Sequence, residues 1–129
     1  MTLGLLLDTH VALWWSTGEL DPSADVTAAI AEPANTIWLS VASVWELAIK
    51  VRTGKLLLDV TGFVDKIADA GVTLLGIGAD DAIAAGLLDW DHRDPFDRML
   101  AAQVKRLGCR LATRDAVLLV FLGETAMRV

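Results

Sequence analysis

The chain has 129 residues, 54% of them hydrophobic, and carries a formal net charge of -6 at pH 7. This length fits one domain with a single core, and no apolar block approaches the roughly 20 residues of a membrane-spanning helix. The negative net charge argues against a protein that binds nucleic acid through an overall excess of basic residues. It is compatible with nucleic-acid binding by a local group of basic residues around a site. The single cysteine, Cys109, excludes an internal disulfide and a thiolate metal site.

Two features bear on where the protein resides. The apolar run at 3–7 has no basic segment before it, and it stops at Asp8 before a secretory h-region could form. A lone cysteine fits a reducing compartment. We therefore expect a cytoplasmic protein without membrane association.

Short apolar runs alternate with amphipathic helical patterns along the chain. The predicted elements, in chain order, are a strand at 3–7, helices at 10–16 and 21–32, a strand at 36–39, helices at 41–52 and 60–70, a strand at 72–75, helices at 79–88 and 95–107, a strand at 109–112, a helix at 116–122 and a strand at 126–129. Thr9 and Ser40 are the predicted N-caps of the first and third helices, and Pro95 suits a first helical position.

In the helix at 41–52, apolar residues recur at three- and four-residue spacing, which predicts the face that packs on the core. These residues are Val41, Val44, Trp45, Ala48 and Ile49.

Strands that alternate with helices predict an α/β fold. We expect one domain over residues 1–129, a three-layer α/β/α structure whose central, mostly parallel sheet has four to five strands flanked by helices. Ligands of such sheets bind beyond the carboxyl ends of the strands. Asp8 and Asp115 each follow a predicted strand directly, so both should project into that crevice.

Four acidic residues, far apart in sequence, each lie beside an apolar stretch: Asp8, Glu46, Asp97 and Asp115. A carboxylate that leaves water needs a partner or gives up its ionisation. A hard divalent cation such as Mg²⁺ supplies that partner. The pattern therefore predicts a metal pocket.

Each acid also has a purely structural interpretation. Asp8 and Asp115 can cap the helices that follow them, and Asp97 can favour a helix dipole. Glu46 lies three residues after Ser43, which is the spacing of a capping box. Asp94, directly before Pro95, is most simply read as an N-cap.

The two histidines lack a Cys or His partner at zinc-ligand spacing. First-turn packing or a solvated loop is therefore the expected setting of His10 and His92.

Trp14 and Trp15 are adjacent on a predicted helix and cannot both face the core squarely. Together with Leu13 and Trp38 they indicate either a groove for a partner or a dimer face, or tryptophans partly buried at the core margin.

Four motifs carry a family likeness: Leu6-Leu7-Asp8-Thr9-His10, the run from Ser43 to Lys50, the run from His92 to Leu100 with its Asp-Pro-Phe-Asp-Arg block, and Thr113-Arg114-Asp115. In this order and spacing, nearly end to end, the chain resembles VapC-type PIN-domain toxins. One departure is the run at 117–122, which is more apolar than the family pattern after its last acid.

The resemblance implies a metal-dependent endoribonuclease that uses Mg²⁺ or Mn²⁺, is held inactive by a VapB-like antitoxin and forms a homodimer. It implies that the metal-binding, catalytic acids are Asp8, Glu46, Asp97 and Asp115. Asp94 would be an accessory acid, and Thr9 and Thr113 would hydrogen-bond to the acids.

On the basis of this resemblance we hypothesise metal-assisted hydrolysis of an RNA phosphodiester with water as the nucleophile. Arg98 and Arg114 are the expected phosphate contacts. The alternative is a non-catalytic PIN-fold interaction module that dimerises and binds an antitoxin-like partner but does not cut RNA.

Overall fold

The computed structural model describes residues 2–129. Five strands form one sheet in the order β3-β2-β1-β4-β5, and every neighbouring pair is parallel. The strands are β1 Gly4–Leu7, β2 Thr36–Ser40, β3 Thr73–Leu75, β4 Arg110–Thr113 and β5 Ala126–Arg128. The predicted parallel sheet of an α/β fold is confirmed, and all five carboxyl ends lie at the same edge.

Seven α-helices connect the strands within residues 2–129. They are α1 Thr9–Thr17, α2 Asp25–Ala31, α3 Val41–Arg52, α4 Val60–Asp69, α5 Ala79–Leu87, α6 Pro95–Leu107 and α7 Ala116–Leu122. A 3₁₀ turn at Gly123–Thr125 leads into β5.

The core has two halves because successive side chains of a strand point to opposite faces of the sheet. Leu5 and Leu7 of β1 pack with residues of α1 to α4 on one face. Leu6, between them, packs on the other face against α6 and α7. All three leucines are fully buried, so helices cover both faces and the predicted three-layer arrangement is confirmed.

The predicted order and type of the elements are confirmed, but two helix starts differ. α2 begins at Asp25 rather than Asp21, because the Asp21 carboxylate accepts hydrogen bonds from the backbone N–H (2.9 Å) and hydroxyl (2.8 Å) of Ser23 and forms a turn instead. Thr9 is the first residue of α1 rather than its cap, since Asp8 is the N-cap.

The predicted core face of α3 is wrong. Trp45 is 60% exposed and Ile49 is 39% exposed, whereas Ala42, Ser43 and Leu47 are buried. The Ser43 hydroxyl lies 2.8 Å from the Thr9 hydroxyl. This polar contact turns the Ser43 side of α3 towards the sheet. Trp45 and Ile49 of the predicted face therefore point outwards, whereas Val44 still packs, partly buried, against the core.

No helix within residues 2–129 is long and apolar enough to cross a membrane.

Candidate active site

A cavity of about 390 Å³ opens at the carboxyl edge of the sheet. Its walls come from the N-terminal parts of α1 and α6, the middle of α3 and the segment after β4. The lining residues are Asp8, His10, Val11, Trp14, Glu46, Lys50, Asp94, Asp97, Arg114 and Asp115. The four acids that the sequence singles out therefore lie around one space, as does Asp94.

Asp8 is the most deeply placed of these acids, with 9% of its surface exposed. Its Oδ1 accepts a hydrogen bond from the Thr9 backbone N–H (2.7 Å), and its Oδ2 accepts one from the Thr113 hydroxyl (2.7 Å). Burial raises the pKa of Asp8, while the hydrogen bond from Thr113 opposes that rise. The carboxylate is thus fixed in position at the end of β1.

Glu46 reaches the cavity from α3. The Thr9 hydroxyl donates to Glu46 Oε1 at 2.7 Å, and Lys50 Nζ lies 3.4 Å from Glu46 Oε2. Lys50 Nζ also lies 3.5 Å from His10 Nε2. Thr9 and Thr113 therefore each contact one of the acids, in the positions that the resemblance implies.

Asp97 enters the cavity from the first turn of α6. Burial raises the pKa of Asp97 to about 6, and the negative charges of Asp94, Asp8 and Asp115 contribute to the rise. A hydrogen bond with His92 Nε2 at 2.7 Å acts in the opposite direction. The acids are thus close enough to affect one another's ionisation.

Asp94 and Asp115 are both helix N-caps. Asp94 Oδ1 accepts from the backbone N–H groups of Phe96 (2.9 Å) and Asp97 (3.3 Å). Asp115 Oδ1 accepts from those of Val117 (2.8 Å) and Leu118 (3.1 Å). Each cap uses Oδ1, and within residues 2–129 Oδ2 takes no hydrogen bond, so a capping role is compatible with binding a cation through the second oxygen.

Sequence reasoning missed His92. It is partly buried, and its ring lies 4.8 Å from that of Trp90. His92, Asp94 and Asp97 offer ligand atoms that all lie within 4.8 Å of one another. Zinc-ligand spacing concerns Cys and His partners alone. The sequence signal for His92 is instead its position two residues before Asp94 and five before Asp97. His92 lies in a loop, as expected, but it is partly buried there rather than solvated.

His10 is exposed on the first turn of α1 and lines the cavity. Its ring stacks on Trp14 at 5.8 Å between centroids, which agrees with the predicted first-turn packing.

The two arginines expected to contact phosphate have different surroundings. Arg114 lies at the cavity with its guanidinium 4.4 Å from the Trp14 ring centroid, and its Nε donates to Val129 O (3.2 Å). Arg98 instead donates to five backbone carbonyls, and these belong to Ala85, Gly86, Leu88, Trp90 and His92. Because its donors are taken by the protein, the geometry of Arg98 does not favour a phosphate contact.

Trp14 and Trp15 are both partly buried and pack against the core, as does Leu13. Trp38 is partly buried against the other half of the core. These tryptophans therefore lie at the core margin, the second of the two settings predicted for them, and Trp14 also forms a wall of the acidic cavity.

The donor set of the cavity fits a divalent cation. Carboxylate oxygens are the ligands that Mg²⁺ and Mn²⁺ prefer, and an imidazole is a further donor for the transition metals. Burial, and to a smaller extent the negative charges of the neighbouring acids, raise the pKa of Asp97, and a bound cation would relieve both effects.

The sequence matches the PIN domain family over residues 5–120. The chain belongs to the PIN domain family. It is 32% identical over 114 residues to Ribonuclease VapC22 of Mycobacterium tuberculosis, covering 86% of each chain. The resemblance to VapC-type PIN-domain proteins that the four motifs indicate is thereby confirmed.

Solved structures share the fold at low sequence identity. VapBC2 from Rickettsia felis, solved bound to a DNA fragment from its promoter, has a TM-score of 0.72 at 15% identity, with 98% of both chains covered. A DNA-bound VapBC from Salmonella typhimurium has a TM-score of 0.69 at 13% identity and 98% coverage of both. A toxin-antitoxin complex from Klebsiella pneumoniae has a TM-score of 0.62 at 16% identity and 95% coverage of both.

Proposed function

We propose that this protein is a metal-dependent endoribonuclease toxin of a toxin-antitoxin pair. The observation that carries the proposal is the convergence of Asp8, Glu46, Asp97 and Asp115 on one cavity of a PIN domain. The 32% identity to a protein named as a ribonuclease supports the same activity.

Asp8 and Asp97 are the principal ligands in this proposal. Asp8 is held at both oxygens, and Asp97 faces it across the cavity. Glu46 and Asp115 complete the set, with Asp94 as an accessory acid. Thr9 and Thr113 orient Glu46 and Asp8 through their hydroxyl groups.

A bound Mg²⁺ or Mn²⁺ would lower the pKa of an attacking water and would offset the charge that develops on the leaving oxygen. The chain's own residues provide position and electrostatics. The two threonine hydroxyls restrict rotation of the acids. The N-terminus of α6, which is the positive end of its dipole, lies towards the place where the phosphate would bind. Because water is the nucleophile, the mechanism requires no serine or cysteine.

Basic residues flank the acidic cavity on two sides. Arg114 lies on one side. On the other, a second cavity of about 500 Å³ shares Glu46, Lys50 and Asp94 with the first and is also lined by Lys55 and Arg93. In a protein of net charge -6, this local concentration of basic side chains supports the proposal that the RNA backbone runs past the acids. We assign phosphate contacts to these residues rather than to Arg98.

We also infer a VapB-like antitoxin and a homodimer as protein partners. The structural neighbours are VapBC and toxin-antitoxin complexes, which supports the first. The second is supported by the exposed side chains of Trp45 and Ile49 beside the partly buried Phe96, whose ring meets that of Trp45 edge to face at 5.2 Å. A buried, unpaired Cys109 agrees with a cytoplasmic location.

The alternative is a PIN-fold interaction module that binds partners without cutting RNA. It predicts the same dimer and the same antitoxin. The two candidates differ in whether the acids are needed for anything beyond folding.

Cleavage of total RNA by purified, antitoxin-free protein tests the proposal. We expect discrete fragments with Mg²⁺ or Mn²⁺, no fragments with EDTA and none from Asp97→Asn. Asp65→Asn, which changes an exposed acid on α4, is the matched control and should cut normally. Folded, metal-loaded protein that never cuts would favour the interaction module.

A further inference from the structure

We propose that His92 is a metal ligand of this site and that it makes the site favour Mn²⁺ over Mg²⁺. This inference rests on the proposed metal-dependent function and extends it to the identity of the cation. It assigns a role to a side chain that lies outside the four acids.

The position of the imidazole nitrogen is the first argument. His92 Nε2 lies 2.7 Å from Asp97 Oδ2, and His92, Asp94 and Asp97 each offer one ligand atom within 4.8 Å of those of the other two. Adjacent ligands of an octahedral ion, each about 2.1 Å from it, stand about 3 Å apart. The nitrogen and the Asp97 oxygen are therefore separated by nearly the distance between two neighbouring ligands, and the proton they share would be released to solvent when a cation binds both.

The chemistry of an imidazole donor is the second argument. Mg²⁺ prefers oxygen ligands and gives up its water reluctantly, whereas imidazole suits transition metals. Replacing one oxygen donor by His92 thus costs Mg²⁺ more than it costs Mn²⁺. A site with several carboxylates and one imidazole should bind Mn²⁺ with the higher affinity.

The way His92 is held is the third argument. Arg98 donates through Nη1 to the carbonyl oxygens of His92 (3.0 Å) and Trp90, which fixes the backbone on both sides of residue 91. The Trp90 ring lies 4.8 Å from the His92 ring and stacks on Phe121 at 4.0 Å. The imidazole is therefore placed beside Asp97 by the fold, and Arg98 is a positioning residue for it.

A different role for His92 makes a different prediction. If His92 only orients Asp97 through the hydrogen bond, as partners of metal ligands often do, its loss should weaken Mg²⁺ and Mn²⁺ binding alike. If it ligates the cation, its loss should weaken Mn²⁺ binding selectively. His92→Gln separates the two roles because the glutamine amide still has N–H groups to donate to Asp97.

The decisive experiment measures Mn²⁺ binding by electron paramagnetic resonance, with Mg²⁺ affinity obtained by competition. Pulsed spectra of bound Mn²⁺ should show coupling to an imidazole nitrogen in the wild type. We expect His92→Gln to lose that coupling and to weaken Mn²⁺ binding at least about tenfold, with a smaller effect on Mg²⁺. His10→Gln, which changes the only other histidine of the sequence, should retain both.

The outcomes separate this inference from the proposed function. Mn²⁺ that binds the wild type without nitrogen coupling would overturn the role of His92 and leave the carboxylate site intact. Mg²⁺ and Mn²⁺ affinities that fall in parallel, or that both stay unchanged, in His92→Gln would also overturn it. A wild-type protein that binds neither cation would overturn the metal site itself.

Discussion

The Thr113 hydroxyl donates a 2.7 Å hydrogen bond to Asp8 Oδ2 and joins residues that are 105 positions apart in the chain. The same hydroxyl oxygen accepts the backbone N–H of Asp115 at 3.0 Å. Because β1 and β4 are neighbours in the sheet, one threonine at the end of β4 connects two of the cavity's acids. The active site is thus built into the central strand pair.

Thr113→Val should be destabilising and should weaken metal binding. The variant keeps the shape of the side chain but leaves Asp8 Oδ2 and the Asp115 N–H without their partner, a loss of about 1–3 kcal/mol in the free energy of unfolding. Urea denaturation measures the first effect and calorimetric titration with Mn²⁺ the second. Thr61→Val, on the exposed side of α4, should change the free energy of unfolding by less than about 0.5 kcal/mol. Equal stability of the two variants would show that the hydrogen bond to Asp8 contributes nothing.

In the metal-free protein, the cavity acids should contribute more to the free energy of unfolding at about pH 5 than at about pH 7.5. The pKa of Asp97 is about 6 in the folded protein against an ordinary aspartate value of 3.8, so the folded state binds more protons between these values. Stability therefore falls as pH rises through that window. Burial raises the pKa of Asp8 as well, which acts in the same direction.

Urea denaturation in EDTA at the two pH values measures this effect, with Asp97→Asn as the comparison. The variant lacks the titrating carboxyl and should show a smaller pH dependence than the wild type. The pKa of Asp81 is lowered, chiefly by its hydrogen bond with Arg106, so its contribution changes only below pH 3.8 and does not interfere. Identical pH profiles for wild type and Asp97→Asn would contradict the assignment.

Arg98→Lys should destabilise the protein although it keeps the charge. Lysine has three donors at a single point and cannot reach five carbonyls spread over residues 85–92. We expect a loss of about 1–3 kcal/mol in the free energy of unfolding, because several carbonyls lose their partner. Arg52→Lys, at the exposed end of α3, is the control and should be nearly neutral. A phosphate-binding role alone would predict weaker RNA binding with unchanged stability.

Charge reversal in the second cavity should weaken RNA binding while leaving the metal site intact. Lys55→Glu and Arg93→Glu place negative charge beside the proposed path of the RNA backbone. The apparent Kd for RNA should rise, and the dependence of affinity on salt concentration should become less steep. Lys105→Glu, in the last turn of α6 and far from Asp97, provides the control. An RNA affinity that neither Lys55→Glu nor Arg93→Glu changes would place the RNA elsewhere.

The sequence is sufficient for the architecture because local signals agree with one another. The hydrophobic pattern defines the boundaries of β1. Capping residues define those of α6, which begins at Pro95 and ends before its C-cap, Gly108. α2 starts late because the Asp21 turn competes with the helix, and a side-chain hydrogen bond of that kind is not visible in periodicity.

The candidate site is predictable only in part. The acids stand out because each follows or interrupts an apolar stretch. The settings of His92 and Arg98 depend on side-chain hydrogen bonds that periodicity does not reveal, with Asp97 for one and with five carbonyls of residues 85–92 for the other. The outward face of α3, marked by Trp45, likewise depends on the contact between Ser43 and Thr9. Such tertiary contacts override the local pattern.

The most direct measurement is the RNA cleavage rate of four proteins in one Mn²⁺ assay: wild type, Asp8→Asn, Asp97→Asn and the double variant. If the acids form one catalytic unit, each single variant should fall close to the background rate, and the double variant should lose no more than the singles. Full activity of either single variant, with folding and metal binding intact, would contradict the account.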